Sequence, residues 1–170
     1  EVHPQAKHSR LEAEASFVKQ HVMKIRLASA SDADSLVEFN QAMALETENK
    51  RLDGGILKAG VESVFTDDRK GFYVVAEDDG QIAAGLMVTY EWSDWRNGWF
   101  WWIQSVYVLP EYRGRMIYSQ LYDFVKTLAD EKGDVCGFRL YVEKENVKAQ
   151  KVYEKVGMAA SHYLMYEEHK

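Results

Sequence analysis

The stretch from residue 99 to residue 133 constrains the fold more than any other part of the chain. Trp99–Leu109 is a long, mostly apolar run that reads as a buried strand, and Pro110 ends it. A short basic turn with one glycine follows, Arg113-Gly114-Arg115. A helix starts at once: Ile117, Leu121, Phe124, Val125 and Leu128 share one face, and Lys132-Gly133 closes it. A strand handed to an amphipathic helix through so short a turn requires a sheet with a helix packed on it. The same turn aims free backbone N–H groups and the positive helix end at one point, where Arg113 and Arg115 add full charges. Pyrophosphate suits such a point. An ordinary strand-to-helix turn with solvated arginines has the same local pattern.

Strands and helices alternate around this segment. Ile25–Leu27 reads as a short strand. Ser31 with Asp34 forms a capping box, and Leu36, Phe39, Asn40 and Met43 continue a helix toward Glu46. Gly54-Gly55 breaks the chain, and Leu57, Val61, Val64 and Phe65 then recur at helical spacing. Phe72–Glu77, the turn Asp78-Asp79-Gly80 and Gln81–Tyr90 form a hairpin, with Ser93–Gly98 a polar connection to the next strand. Phe138–Glu143 is a strand, Val147–Val156 a helix stopped by Gly157, and Met158–Glu167 strand-like again. The order β-α-α-β-β-β-α-β-α-β specifies a mixed α/β (α+β) layer fold. Strands separated by helices are expected to pair in parallel and the hairpin strands antiparallel.

Residues 23–170 read as one domain. Residues 1–22 read as an N-terminal leader or appendage, with Leu11, Ala15, Val18 and Val22 on one face of a possible short helix. Its histidines His3, His8 and His21 match no compact ligand spacing, so no metal is expected. The single cysteine, Cys136, excludes an intrachain disulfide and a cysteine-based zinc site and is compatible with a reducing, cytoplasmic compartment. No apolar run approaches the ~18–20 residues of a membrane span. A net charge of −6 argues against nucleic acid as the partner.

Two motifs carry a family resemblance. Arg113-Gly114-Arg115-Met116-Ile117-Tyr118 is similar to motif A of the GCN5-related N-acetyltransferases (GNAT family), Arg/Gln-x-x-Gly-x-Gly/Ala, with Met116 and Tyr118 where the two glycines stand. Asn146-Val147-Lys148-Ala149-Gln150-Lys151-Val152-Tyr153-Glu154-Lys155-Val156-Gly157-Met158 resembles motif B, Asn-x-x-Ala-x-x-x-Tyr-x-Lys-x-Gly-Phe, at every fixed position but the last. The resemblance implies a mixed central sheet of six to seven strands flanked by about four helices. It implies acetyl-CoA (coenzyme A) in a splay between the Trp99–Leu109 and Phe138–Glu143 strands. Main-chain groups along Val106, Tyr107 and Val108 would hold the pantetheine arm. Arg113, Gly114, Arg115, Met116, Ile117, Tyr118 and Ser119 would cradle the pyrophosphate. Asn146 and Ala149 would lie at the cofactor, and Tyr153 near its sulfur. A non-glycine residue keeps its N–H for the phosphate, but positive φ at Met116 would strain the turn by about 1 kcal/mol.

Acetyl transfer to an amine needs a base, an oxyanion donor and an acid for the thiolate. Val106 N–H is the expected oxyanion donor and, by resemblance, Tyr153 the acid. Where some family members carry a Glu on the central strand, this chain has Trp102, Ile103, Gln104 and Ser105, and an amide cannot take a proton at neutral pH. Glu46 is the first candidate base and Glu91 the second. Glu48, Trp92, Trp102 and Gln104 are further candidates for the acceptor site.

All five tryptophans fall between Trp92 and Trp102. Alternation sends Trp99 and Trp101 to one face of the strand, and Phe100 and Trp102 to the other. One face must be core. The other suits either an acceptor cleft or the contact of a homodimer. Residues 38–95 hold twelve acids against five bases, and residues 96–170 eleven bases against ten acids. An acidic, aromatic acceptor side favours a small cationic primary amine. A peptide or protein amine, or a non-catalytic acyl-CoA-binding regulatory role, are the alternatives.

Overall fold

The computed structural model describes residues 23–168 and Lys170. The expected leader helix and the three N-terminal histidines lie outside the described residues. Strand β1 (Lys24–Leu27) leads through a 3-10 turn, Ala30–Asp32, into helix α1 (Ala33–Glu48). The box at this turn is Ser29 with Asp32, two residues earlier than the expected Ser31/Asp34 pair. Ser29 N donates to Asp32 Oδ2 at 2.7 Å, and Arg26 donates to both Asp32 oxygens at 2.7 and 2.9 Å. The Arg26 guanidinium holds this buried carboxyl below the usual carboxylate range. A buried charge with its own counter-ion outranks an exposed alternative two residues away.

Gly54-Gly55, expected as a break, opens helix α2 (Gly54–Val64). Asp53 makes that possible, because its side chain accepts from Ile56 N at 2.8 Å and caps the first turn. Strands β2 (Phe72–Asp78) and β3 (Gln81–Ser93) form the expected hairpin. Asp79 and Gly80 turn it with φ of 49° and 84°, the geometry that suits the right-handed strand twist. Strand β4 (Gly98–Val108), helix α3 (Ile117–Lys132), strand β5 (Val135–Arg139) and helix α4 (Val147–Lys155) follow.

The sheet order is β1-β2-β3-β4-β5, with β4 and β5 parallel and the other neighbours antiparallel. The expected mixed α/β fold with four helices is present, but among the described residues the sheet has five strands, not six to seven. β5 also begins and ends earlier than the expected Phe138–Glu143. Its register is pinned at the start of β4, where Trp99 N donates to Asp134 O at 2.9 Å and Trp99 stands opposite Val135. Gly137 has to lie under Phe100, since a Cβ there would come within 2.7 Å of the ring. The ladder ends at Trp102 and Arg139. Met158–Glu167, expected as the last strand, forms no strand and does not pair with the outer edge of β5, and Tyr163, Leu164, Met165 and Tyr166 are exposed.

Helix α3 covers one face of the sheet. Leu121, Val125 and Ala129 pack with Val74, Leu86, Val88, Trp101 and Ile103. α1 and α2 cover part of the other face, where Leu36, Val61 and Val64 pack with Tyr73 and Val75. No helix among the described residues is long and apolar enough to cross a membrane.

Candidate active site

The parting of β4 from β5 builds the site. β4 continues from Ile103 to Val108 after its β5 partner has ended at Arg139, so that flank of its backbone is left without a neighbouring strand. A β-bulge lies in the same segment. Gly85 stands opposite Tyr107 and Met87 opposite Gln104, which leaves Ser105 and Val106 facing the single residue Leu86. Ser105 absorbs the extra residue with φ of 51°. The bulge shifts the alternation by one, so Trp102, Gln104 and Tyr107 share a face. Tyr107 thereby meets Phe39 of α1, ring centroids 5.3 Å apart. Ser105 was not singled out in the sequence, and no local signal there announces a positive φ.

The turn from β4 into α3 converges as expected. A 3-10 turn, Pro110–Tyr112, leads to Gly114 with φ of 81° and to Met116, which enters α3 left-handed at φ 57°, ψ 26°. Ile117, Tyr118 and Ser119 begin the helix, and Gln120 N is the first to bond back, to Met116 O at 3.3 Å. Open main-chain groups on β4, a helix N-terminus at its end, and Arg113 and Arg115 beside it fit a phosphate-bearing ligand with an extended arm. Met116 is 76% exposed, so its side chain leaves the backbone open, but its left-handed conformation is strained. Met116→Gly is expected to stabilise the fold by about 0.5 kcal/mol. Relief of about 1–2 kcal/mol of strain is partly offset by about 0.4–1 kcal/mol of added unfolded-chain entropy. Thermal melts check this; a lower Tm contradicts it.

The residues expected at the site fall into separate groups. Glu46, at the end of α1, meets Tyr107 and Arg113: Tyr107 Oη donates to Oε1 at 2.7 Å and Arg113 Nη2 to Oε2 at 2.8 Å. The Tyr107 hydrogen bond and the Arg113 charge outweigh burial and hold the Glu46 carboxyl below its usual range. Arg113 Nε also donates to Val108 O at 2.9 Å. Glu48 is exposed.

Glu91 lies on the Trp102 side of the arm formed by β3 and β4. Burial pushes its carboxyl up, yet hydrogen bonds from Trp102 Nε1 and from Arg139 Nη1, the latter at 2.6 Å, leave it below the usual range. The Arg139 guanidinium stacks over Phe100, 3.7 Å from the ring centroid. Arg139 was missed in the sequence because only the shifted β5 brings it here. Gln104 Nε2 donates to Thr89 Oγ1 at 2.6 Å. Trp92 is not part of this group: it packs on Trp99, centroids 5.0 Å apart, on the other face. Trp101 is buried among Phe72, Tyr90 and Phe138, as core.

On α4, Asn146 Oδ1 caps the helix by accepting from Ala149 N at 3.1 Å. Tyr153 is half-buried against Tyr118 of α3, centroids 5.2 Å apart. Burial raises the Tyr153 phenol, so it stays protonated at neutral pH. Tyr118 takes the place of the second motif glycine and stacks on Tyr122, filling the joint between α3 and α4.

The sequence profile of the Acetyltransferase (GNAT) family matches residues 34–158. Among solved structures, a possible acetyltransferase from Clostridium difficile 630 is 45% identical with a TM-score of 0.81, over 88% of this chain and 98% of that one. A predicted acetyltransferase with acetyl-CoA from Clostridium acetobutylicum shares the fold at 19% identity and a TM-score of 0.72, over 86% and 96% of the two chains. Glucosamine-6-phosphate N-acetyltransferase from Arabidopsis thaliana does so at 21% and 0.68, over 88% and 99%. No curated protein matches. With its family profile across residues 34–158 and a solved relative of the same fold at 45% identity, the chain belongs to the GNAT family of acetyl-CoA-dependent N-acetyltransferases.

Proposed function

We propose that this enzyme acetylates a small cationic primary amine, such as a polyamine, an amino acid or an aminoglycoside-like compound. The observation that carries the reading is the unpaired flank of β4 running into the α3 N-terminus, with the aromatic Phe100 and Trp102 and the arginine-paired carboxylates Glu46 and Glu91 beside it. Acetyl-CoA supplies the thioester that the amine attacks. Arg113, Arg115 and the first amides of α3 hold its phosphates. Val106 N–H, in the bulged segment of β4, donates to the oxyanion. The Tyr153 phenol donates its proton to the departing thiolate. Glu46, acting through water, takes the proton from the amine. Phe100, Trp102 and Tyr141 wall the acceptor side, and Trp102 and Tyr141 lie 6.2 Å apart.

A thiol-release assay with DTNB over a panel of amines tests this. Release with polyamines or other small cations, and little with neutral or acidic amines, is the expected result. Coenzyme A binding without release for any amine would favour the non-catalytic acyl-CoA-binding reading. That second reading draws on Met116 at the motif glycine and on the pairing of both candidate bases.

A further inference from the structure

Glu46 and Arg113 are 67 residues apart in sequence, yet their side chains meet at 2.8 Å. The contact is not a lone surface pair. Tyr107, itself buried, holds the other Glu46 oxygen at 2.7 Å. The Arg113 guanidinium lies over the Tyr107 ring, 5.3 Å from its centroid, and its Nε takes the Val108 carbonyl at 2.9 Å. Glu46, the Tyr107 ring and the Val108 carbonyl thus lock Arg113, at the mouth of the phosphate cradle, onto the end of α1 and onto β4.

A guanidinium offers its donors in one plane. Here Nε and Nη2 point back at the protein, to Val108 O and Glu46. A diphosphate arriving at the α3 N-terminus therefore meets an arginine already engaged by a carboxylate. We infer that Glu46, the proposed base, competes with the cofactor phosphates for Arg113, so that filling the cradle releases Glu46 toward the acceptor. The inference rests on the acetyl-CoA reading of the cradle. It has two consequences in the same movement. Arg113 leaving Val108 O frees a main-chain acceptor on the flank that takes the pantetheine arm. Arg113 leaving Glu46 removes the cation beside that carboxylate, which keeps only its bond from Tyr107. The carboxylate is then available to an amine only after the acetyl donor is in place. Both side chains are reachable for such an exchange, at 39% and 43% exposure.

The test is calorimetric titration with coenzyme A of the unmodified chain, Glu46→Gln, Arg113→Gln and the double variant. Gln at 46 keeps one oxygen for Tyr107 and removes both the charge and the acceptor that Arg113 uses, and Glu46→Ala serves as a second probe of the same direction. Thermal melts report that each variant is folded. The expected result is that Glu46→Gln tightens coenzyme A about threefold, the scale of one partly exposed ion pair. Arg113→Gln weakens it, and Glu46→Gln then adds nothing in the Arg113→Gln background. A folded Glu46→Gln with unchanged or weaker binding overturns the inference, as does an equal effect of Glu46→Gln with and without Arg113. Failure of the unmodified chain to bind coenzyme A overturns the cofactor reading and this inference with it. Normal binding by the unmodified chain with no gain in Glu46→Gln overturns this inference alone.

Discussion

Tyr153→Phe is expected to lower kcat about 100-fold, the lower end of what a positioned general acid contributes. Affinity for coenzyme A should stay within about twofold, because the ring and its packing on Tyr118 are kept and only the hydroxyl is lost. The separation of the two readouts matters. A ring that merely fills the joint between α3 and α4 would leave kcat unchanged when the hydroxyl goes. A ring needed for cofactor packing would change affinity when the whole side chain is removed. The raised Tyr153 phenol adds a pH prediction of definite sign. It is protonated throughout the neutral range, so its deprotonation limits turnover only above about pH 10, the ordinary tyrosine value. Steady-state kinetics on the fastest amine of the panel, at several pH values, check both points.

Leu121→Ala carries the largest expected effect on stability. Leu121 is fully buried one turn into α3, against the strands that flank the cradle. Removing a leucine side chain from such a site destabilises by about 2–5 kcal/mol, since the void closes only in part. For a chain of this size that lowers Tm by roughly 5–15 °C. The same substitution loosens the first turn of α3, so coenzyme A affinity should fall at temperatures where the variant is still folded. Val152→Ala is the control: this residue is exposed on α4, and its loss should shift stability by no more than about 0.5 kcal/mol. Circular dichroism melts compare the two. Equal Tm values would mean that α3 is not anchored through Leu121.

The parts of the fold legible in the sequence are those set by neighbours in the chain. The hairpin at Asp79-Gly80 and the short turn from Pro110 into α3 each follow from a few consecutive residues. The parts that were not legible are set by contacts across the sheet. β5 starts at Val135 because Trp99 and Phe100, in a different strand, dictate its register and require Gly137 beneath them. Nothing in Val135-Cys136-Gly137 marks a strand by itself. That shift brings Arg139 to Glu91, a pairing 48 residues apart that turns an apparently free carboxylate into one half of an ion pair. Glu46 follows the same pattern. Its place near the end of α1 was readable, but its partners Tyr107 and Arg113 arrive only through a bulge at Ser105 that sequence patterning does not reveal.

On this reading the open flank of β4 and the N-terminus of α3 together bind acetyl-CoA. Calorimetric titration of the unmodified chain with acetyl-CoA tests it most directly. Saturable one-to-one binding with a micromolar Kd is expected, abolished or strongly weakened when Arg113 and Arg115 are both replaced by Gln. No heat of binding at millimolar acetyl-CoA, or binding indifferent to both arginines, would contradict it.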